Sequence, residues 1–332
     1  MSTTIRSRPF PFSETLARIM ETARPVVISN SMRIDFRSEA NQRHYSISVA
    51  LPLVECPESG CPVLYVLDGD WYFGSAVEAV RNNAPGTIVV GIGYPDKETY
   101  VQGVLERHQP LPDWAKDELP FRAAVCFERI YDLSLPASDE VLAGGIAPDS
   151  KITARDVGGL DAFLEVLETE IKPRVAAMVP VDCSNQAIFG HSLGGLAVLH
   201  ALFLRPRAFR TFIAASPSIW WSEQAVLGNE AKFAEAVRAG IAAPRVLITA
   251  GSEEQTADPK VAAKLAMDAG EYALRIGKTR MVENARELTE RLKALPGSGE
   301  FEVEEYALFA KQDHGLSPWP ALGRAVSFAF PQ

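Results

Sequence analysis

The sequence predicts an α/β fold, a mostly parallel central sheet with helices on both faces. Three observations predict it. Val63-Leu64-Tyr65-Val66-Leu67 and Ile88-Val89-Val90-Gly91-Ile92-Gly93 are continuous apolar runs, as expected of strands buried on both faces. Strand-like and helix-period segments then alternate along the chain, which is how parallel sheets are connected. Near residue 190 an apolar run passes through Gly190-His191-Ser192-Leu193-Gly194-Gly195 directly into a helix-period segment. The 332 residues, 47% of them hydrophobic, can fill one large core, and 1–332 is read as a single domain.

In order, residues 13–29 read as a short amphipathic helix followed by Val26-Val27-Ile28. Two alternating segments, 32–36 and 45–51, suggest an antiparallel pair at a sheet edge. The buried strands at 63–67 and 88–93 follow, with a helix between them. From about 95 to 157 the pattern breaks down: prolines at 95, 110, 112, 120, 136 and 148 interrupt it. A long irregular insert in a compact domain is usually functional, so this one is expected to overhang the site as a lid or substrate-binding element. A helix begins near Leu160 and ends near Pro173. The strand before Gly190, its helix to Arg205, and strands at 211–216 and 245–251 come next, the last reached through a helix at about 222–240. A polar loop, a charged helix (about 281–294), a strand at 301–306 and a final helix from about Pro318 to Phe330 close the chain.

The segment around Ser192 has the form of a nucleophile elbow, a sharp strand-to-helix turn that lifts one serine hydroxyl to the top of a sheet. A residue held there sits in a sparsely allowed backbone region at a cost of about 1–3 kcal/mol. Glycines at 190 and 194 are expected because side chains would crowd the neighbouring strand and helix.

Composition narrows the partners. Acids outnumber bases 42 to 33 for a net charge of −9, and no block of like charges stands out. Nucleic acid and anionic membrane are therefore poor partners, and a small molecule is the expected one. No stretch approaches a membrane span or a signal-peptide core, so a soluble, cytoplasmic protein is expected. Cys56, Cys61, Cys126 and Cys183 suit a reduced compartment; Cys56 and Cys61 could close a small loop in an exported protein, against which the absent signal argues. The five histidines form no metal-ligand grouping; no metal and no cofactor is expected.

A serine nucleophile needs a base, itself oriented by a carboxylate. His314 follows the last strand, where a loop can return it over the sheet, and His200 lies on the elbow helix facing away. The acid is expected just past the strand ending at Ala250. Glu253, Glu254 and Asp258 compete, with Glu254 preferred, and Asp313 is too close in sequence to His314 to orient its ring well. An oxyanion hole requires two amides. One is that of Leu193; the other is assigned to Asp70 in the loop after Leu67, with Gly69 and Trp71 as alternatives. Trp114, Phe121, Phe127 and Trp220 are expected to wall an apolar pocket, with Arg129 as its polar group and Trp71 as a further substrate contact.

Five segments together resemble the Putative esterase family of the α/β-hydrolase superfamily: 64–70, 190–195, Ser216-Pro217-Ser218-Ile219-Trp220-Trp221, Gly251-Ser252-Glu253-Glu254 and Asp313-His314-Gly315. That family includes siderophore trilactone esterases, feruloyl esterases, S-formylglutathione hydrolase and mycolyltransferases. The resemblance implies a serine-dependent hydrolase of a carboxylic ester with Ser192, His314 and Glu254 as its triad, and places Arg129 and Asp132 at the border of the site. It is closest to the siderophore-esterase branch, so a siderophore-like lactone or another small-molecule ester is the expected substrate. An acyltransferase or thioesterase on the same fold is the alternative, and a non-catalytic binding protein would not need the three residues. A tris-catecholate substrate would sit awkwardly with a net charge of −9 unless bases gather locally.

Overall fold

The computed structural model describes residues 26–145, 151–264, 267–297 and 301–331. The helix expected over 13–29 falls outside them except for its last four positions. Strands β1 (Ser31–Arg37), β2 (His44–Ala50), β3 (Cys61–Val66), β4 (Ile88–Gly93), β5 (Val181–His191), β6 (Thr211–Ala215), β7 (Arg245–Gly251) and β8 (Glu302–Val303) join one sheet in the order β1-β2-β4-β3-β5-β6-β7-β8. β1, β2 and β4 pair antiparallel, as the alternating segments predict; every pairing from β4 through β3 to β8 is parallel.

Both faces are covered. Val63, Tyr65 and Leu67 point into a layer with Phe163 and Leu199, whereas Leu64 and Val66 point into one with Val77 and Val326. That strict alternation, with no polar residue on either side, is why the run reads as uniformly apolar. Each fully buried side chain of this kind contributes about 1.5–3 kcal/mol. Among the described residues no helix is long and apolar enough to cross a membrane.

Several expectations need correction. The insert is helical, not irregular: α1 (Gly69–Asn83) precedes it, and it folds as α2 (Glu98–Arg107), α3 (Asp113–Asp117), α4 (Pro120–Asp132) and α5 (Asp139–Ala143). Two of its prolines start helices. Pro112 precedes the first residue of α3 and Pro120 opens α4, where a missing N–H costs nothing. The helix from Leu160–Val166 (α6) does run as expected, through a π-helical turn at Leu167–Ile171 into Lys172–Ala176. The helix expected at 222–240 is broken: Ser222, Glu223 and Gln224 have positive φ, and a regular helix covers only Glu230–Arg238. The polar loop before 281 contains a helix, Ala269–Thr279, capped by the Asp268 carboxylate, which accepts from the amides of Gly270 and Glu271. The strand expected at 301–306 splits into β8 and β9 (Ala307–Phe309), both on β7. Between them the Glu304 amide still donates to Val246 O, while the Glu304 and Glu305 carboxylates pair with Arg324 and Lys293. Finally, Cys56 and Cys61 do close the small loop that the expected reduced compartment argued against. The turn from Pro57 to Gly60, with Gly60 at φ 95, brings them together, and the cysteine count no longer supports a reducing compartment.

The insert is fastened to the sheet by buried charge. Arg43, at the start of the β2 hairpin, meets Glu128 at 2.5 Å and Asp132 at 2.9 Å, both on one face of α4. Burial, only partly opposed by Arg43, raises the Asp132 carboxyl to about 7. Removing one partner of such a cluster is costly. Arg43→Met is expected to lose about 3–5 kcal/mol in urea denaturation at neutral pH. Arg107→Ala, on the 58% exposed partner of Glu128, is expected to lose under about 1 kcal/mol. A carboxyl whose folded pKa lies above its unfolded one destabilises increasingly as pH rises between the two, so the Arg43→Met deficit should narrow toward low pH.

Candidate active site

The carboxyl ends of β3, β5, β6 and β7 lie side by side, and the site is built there. β5 delivers Ser192 at φ 62, ψ −118, the strained conformation the elbow predicts, and α7 (Leu193–Leu204) leaves from it. The strain is held by cross-strand bonds: Ser192 N–H donates to Ala215 O at 3.0 Å, and Ser218 N–H donates to Ser192 O at 3.1 Å. A Cβ on Gly190 would lie 2.2 Å from Gly194 O, so that glycine is required as expected. The second crowded position is Gly195, whose Cβ would meet Ala215 O at 2.8 Å; Gly194 would come no nearer than 3.2 Å, to Asp68 Oδ2.

Three predicted residues come together. His314 Nε2 is 2.9 Å from Ser192 Oγ, and His314 Nδ1 is 2.7 Å from Glu254 Oε2. Of the three candidate acids, the turn after β7 brings Glu254 to His314. Glu254 is buried with its carboxylate inward, whereas Glu253 and Asp258 are exposed. Asp313 instead accepts from the amides of Gly315 and Leu316, shaping the histidine loop. Burial alone would raise the Glu254 carboxyl. The hydrogen bond and charge of His314, with donors from Ser216 and Gly251, outweigh it and hold the pKa below the ordinary carboxylate value.

Sequence reasoning missed the residues behind these three. Ser216 Oγ–H donates to Glu254 Oε1 at 2.5 Å, and the Gly251 amide donates to the same oxygen at 2.6 Å. Ser216 Oγ lies 2.9 Å from Ser317 Oγ, which lies 3.3 Å from His191 Nε2; His191 Nδ1 lies 3.2 Å from the Tyr72 hydroxyl. The carboxylate can only accept, so each proton in this series has one direction. Ser216 spends its proton on Glu254, so Ser317 donates to Ser216. His191 Nε2–H then donates to Ser317, and Tyr72 donates to Nδ1. Burial, reinforced by His314 and Arg129, pushes the His191 pKa well down, which keeps the ring neutral as this pattern requires. Its ring also packs against that of His314, centroids 4.6 Å apart. The one available signal was position: Ser216 directly follows a central parallel strand.

Leu193 opens α7, so its amide has no acceptor one turn back in its helix. The same holds for Gly69 and Asp70 at the start of α1. Trp71 is removed as an alternative, since its amide donates to Asp68 O at 2.9 Å. The Asp70 carboxylate points away, accepting from Tyr94 N–H at 2.9 Å and from Arg33 at 3.2 Å. Asp68, at φ 54, is gripped by Arg129 across both carboxylate oxygens.

A cavity of about 390 Å³ opens beside Ser192 and Leu193. Trp114 and Arg129 from the insert border it, as does Trp220. The other two expected aromatics do not. Phe127 stacks on His108 with centroids 4.0 Å apart, and Phe121 packs within the insert, because the insert has a small core of its own to fill. Trp71 is also absent from the cavity wall; its ring lies against the Arg129 guanidinium, 5.0 Å away, and supports it from behind.

The family described as "Putative esterase" matches residues 148–319. The ferri-bacillibactin esterase BesA of Bacillus subtilis is 31% identical over 301 residues, 88% of this chain and 86% of its own. The siderophore triacetylfusarinine C esterase of Aspergillus fumigatus is 31% identical over 277 residues, 80% of this chain and 82% of its own. The crystal structure of the BES protein from Bacillus cereus superposes with a TM-score of 0.72 at 26% identity, covering 92% of this chain and 98% of that one.

Ser216→Ala removes one charge-assisted donor to Glu254 while leaving the Gly251 amide in place. It is expected to lower kcat about tenfold on a chromogenic aryl ester, in line with about 1.5–3 kcal/mol for a bond to a charged group. Ser216→Thr, which keeps the hydroxyl, is expected to recover most of that loss in the same assay.

Proposed function

We propose, because the chain belongs to the Putative esterase family and is a carboxylic ester hydrolase, that Ser192, His314 and Glu254 are its catalytic triad and that its substrate is a siderophore-like lactone. The observation that carries this reading is the unbroken series Ser192 Oγ, His314, Glu254 at 2.9 and 2.7 Å. The lactone follows from relatives named for siderophore esters, spread over most of the chain.

Each step has a residue in place. Ser192 Oγ attacks the ester carbonyl while its proton passes to His314 Nε2; the resulting imidazolium is paired with the Glu254 carboxylate. The amides of Leu193 and Asp70 receive the tetrahedral oxyanion, a contribution of about 10²–10³ in rate per donor. Collapse expels the alkoxide, which takes the proton back from His314 and leaves an acyl-Ser192. Water, deprotonated by His314, attacks that ester, and the second collapse returns the proton to Ser192. With a lactone the alkoxide and the acyl group belong to one molecule, so the product is a ring-opened hydroxy acid. The insert, about residues 95–157, serves in this reading as the substrate-binding part of a single domain.

Ser192→Ala is expected to abolish turnover of a macrocyclic lactone and of a p-nitrophenyl ester alike, with the thermal midpoint little changed. Glu254→Gln is expected to cost on the order of 10²–10⁴ in kcat and Glu253→Gln almost nothing. Retention of more than about a tenth of activity by Ser192→Ala would remove it as nucleophile, because loss of a triad serine is far more severe.

A further inference from the structure

The charge of the cavity beside Ser192 is set by a single pair. Among the described residues, Arg129 is the only charged side chain on its wall. Arg129 Nε and Nη2 donate to the two oxygens of Asp68 at 2.7 and 3.0 Å, and the two side chains are 11% and 1% exposed. The cation is already neutralised. It cannot turn toward an anionic ligand without stranding a buried carboxylate, and any anion placed beside it also meets Asp68.

The remaining polar groups of the wall are mostly spent on the protein. Trp220 Nε1–H donates to Met281 Sδ, Trp221 Nε1–H to Leu135 O, and Ser222 Oγ–H to Pro136 O. Burial pushes the Cys126 thiol up, so it stays protonated. What faces the ligand is indole and aliphatic carbon, including Ile130, Leu142 and Ile152. An anion entering here sheds water without gaining an unpaired cation from the described wall residues in exchange. The net charge of −9 adds a long-range repulsion that salt weakens.

We propose that this site selects esters whose group beside the scissile bond is bulky, apolar and uncharged, and that among iron-chelating macrolactones it takes a neutral ferric tris-hydroxamate over a trianionic ferric tris-catecholate. The selection rests on Ser192 being the nucleophile, which puts this cavity next to the reacting carbonyl.

Binding separates the two ideas. Ser192→Ala protein is titrated with the ferric complexes of a trihydroxamate and a tricatecholate macrolactone, followed by quenching of tryptophan fluorescence. The neutral complex is expected to bind at least about tenfold more tightly, with little change on adding salt. Equal or tighter binding of the catecholate complex overturns the selection, and so does failure of both to bind. Leu142→Lys, combined with Ser192→Ala, places an unpaired cation on the wall and is expected to move the ratio about tenfold toward the catecholate. An unchanged ratio would mean that wall charge does not set the preference. Turnover of a p-nitrophenyl ester by the unmutated protein is measured alongside. Selective binding without any turnover would sink the esterase chemistry and leave the selection standing.

Discussion

Buried past the carboxyl end of β7, the Glu254 carboxylate can accept hydrogen bonds and cannot give them, and the site is arranged around that asymmetry. Leaving such a charge unpaired inside the protein would cost several kcal/mol. It is instead met by His314, Ser216 and the Gly251 amide. One oxygen is filled by Ser216 and Gly251, so the other is fixed toward His314. Because these bonds hold its folded pKa below the unfolded value, their stabilisation is present above the ordinary carboxylate pKa and is lost as pH falls through the lower folded one. The same acceptor dictates the tautomer of His191 three hydrogen bonds away, so a neutral ring packs against His314 without competing for its charge.

A second constraint positions the substrate cavity. Helix α4 carries Glu128, Arg129 and Asp132. Glu128 and Asp132, one turn apart, reach Arg43 beside β2; Arg129, on an adjacent face, reaches Asp68 beside β3. The helix that walls the cavity is therefore pinned at two points, beside β2 and beside β3, by buried ion pairs. The Asp68 loop is pinned with it. Since Gly69 and Asp70 follow immediately, the ion pair that holds α4 against the cavity also holds the turn that opens α1. Arg129 thus holds structure where the sequence suggested a ligand-facing cation.

Much of this was legible in the sequence, and what was not has physical reasons. Ser192 was legible because a strained turn between a buried strand and a helix restricts its neighbours to small residues. His314 was legible because it is the one histidine beyond the elbow helix. Glu254 could only be preferred over Glu253, since adjacent residues differ by which side of a turn they face. Ser317 and His191 were invisible: they meet across 126 positions of sequence, and a serine in a loop looks like any turn. The insert was misread because proline both ends helices and begins them, and only the following residues tell which. The Cys56–Cys61 loop was discounted on the basis of compartment, whereas the local turn at Gly60 decides their distance.

The order of strands explains why distant residues can form one site at all. β3, β5, β6 and β7 are consecutive neighbours in the sheet, spaced about 4.8 Å apart. Their carboxyl ends contribute, in the same order, the Asp68–Asp70 turn, Ser192, Ser216 with Ser218, and Glu254; His314 enters from the loop after β9, which also pairs with β7. The parallel arrangement brings every one of these turns to the same edge, which a hairpin meander would not do. It also carries the strain. Ser192 and Ser216 both have positive φ, at about 1–3 kcal/mol each. Each is tied by its amide to the next strand, Ser192 to Ala215 and Ser216 to Thr249. Relaxing either turn would break a bond in the ladder beside it, so the sheet's own pairing keeps the serine hydroxyl and its supporting hydroxyl in conformations that an isolated chain would abandon.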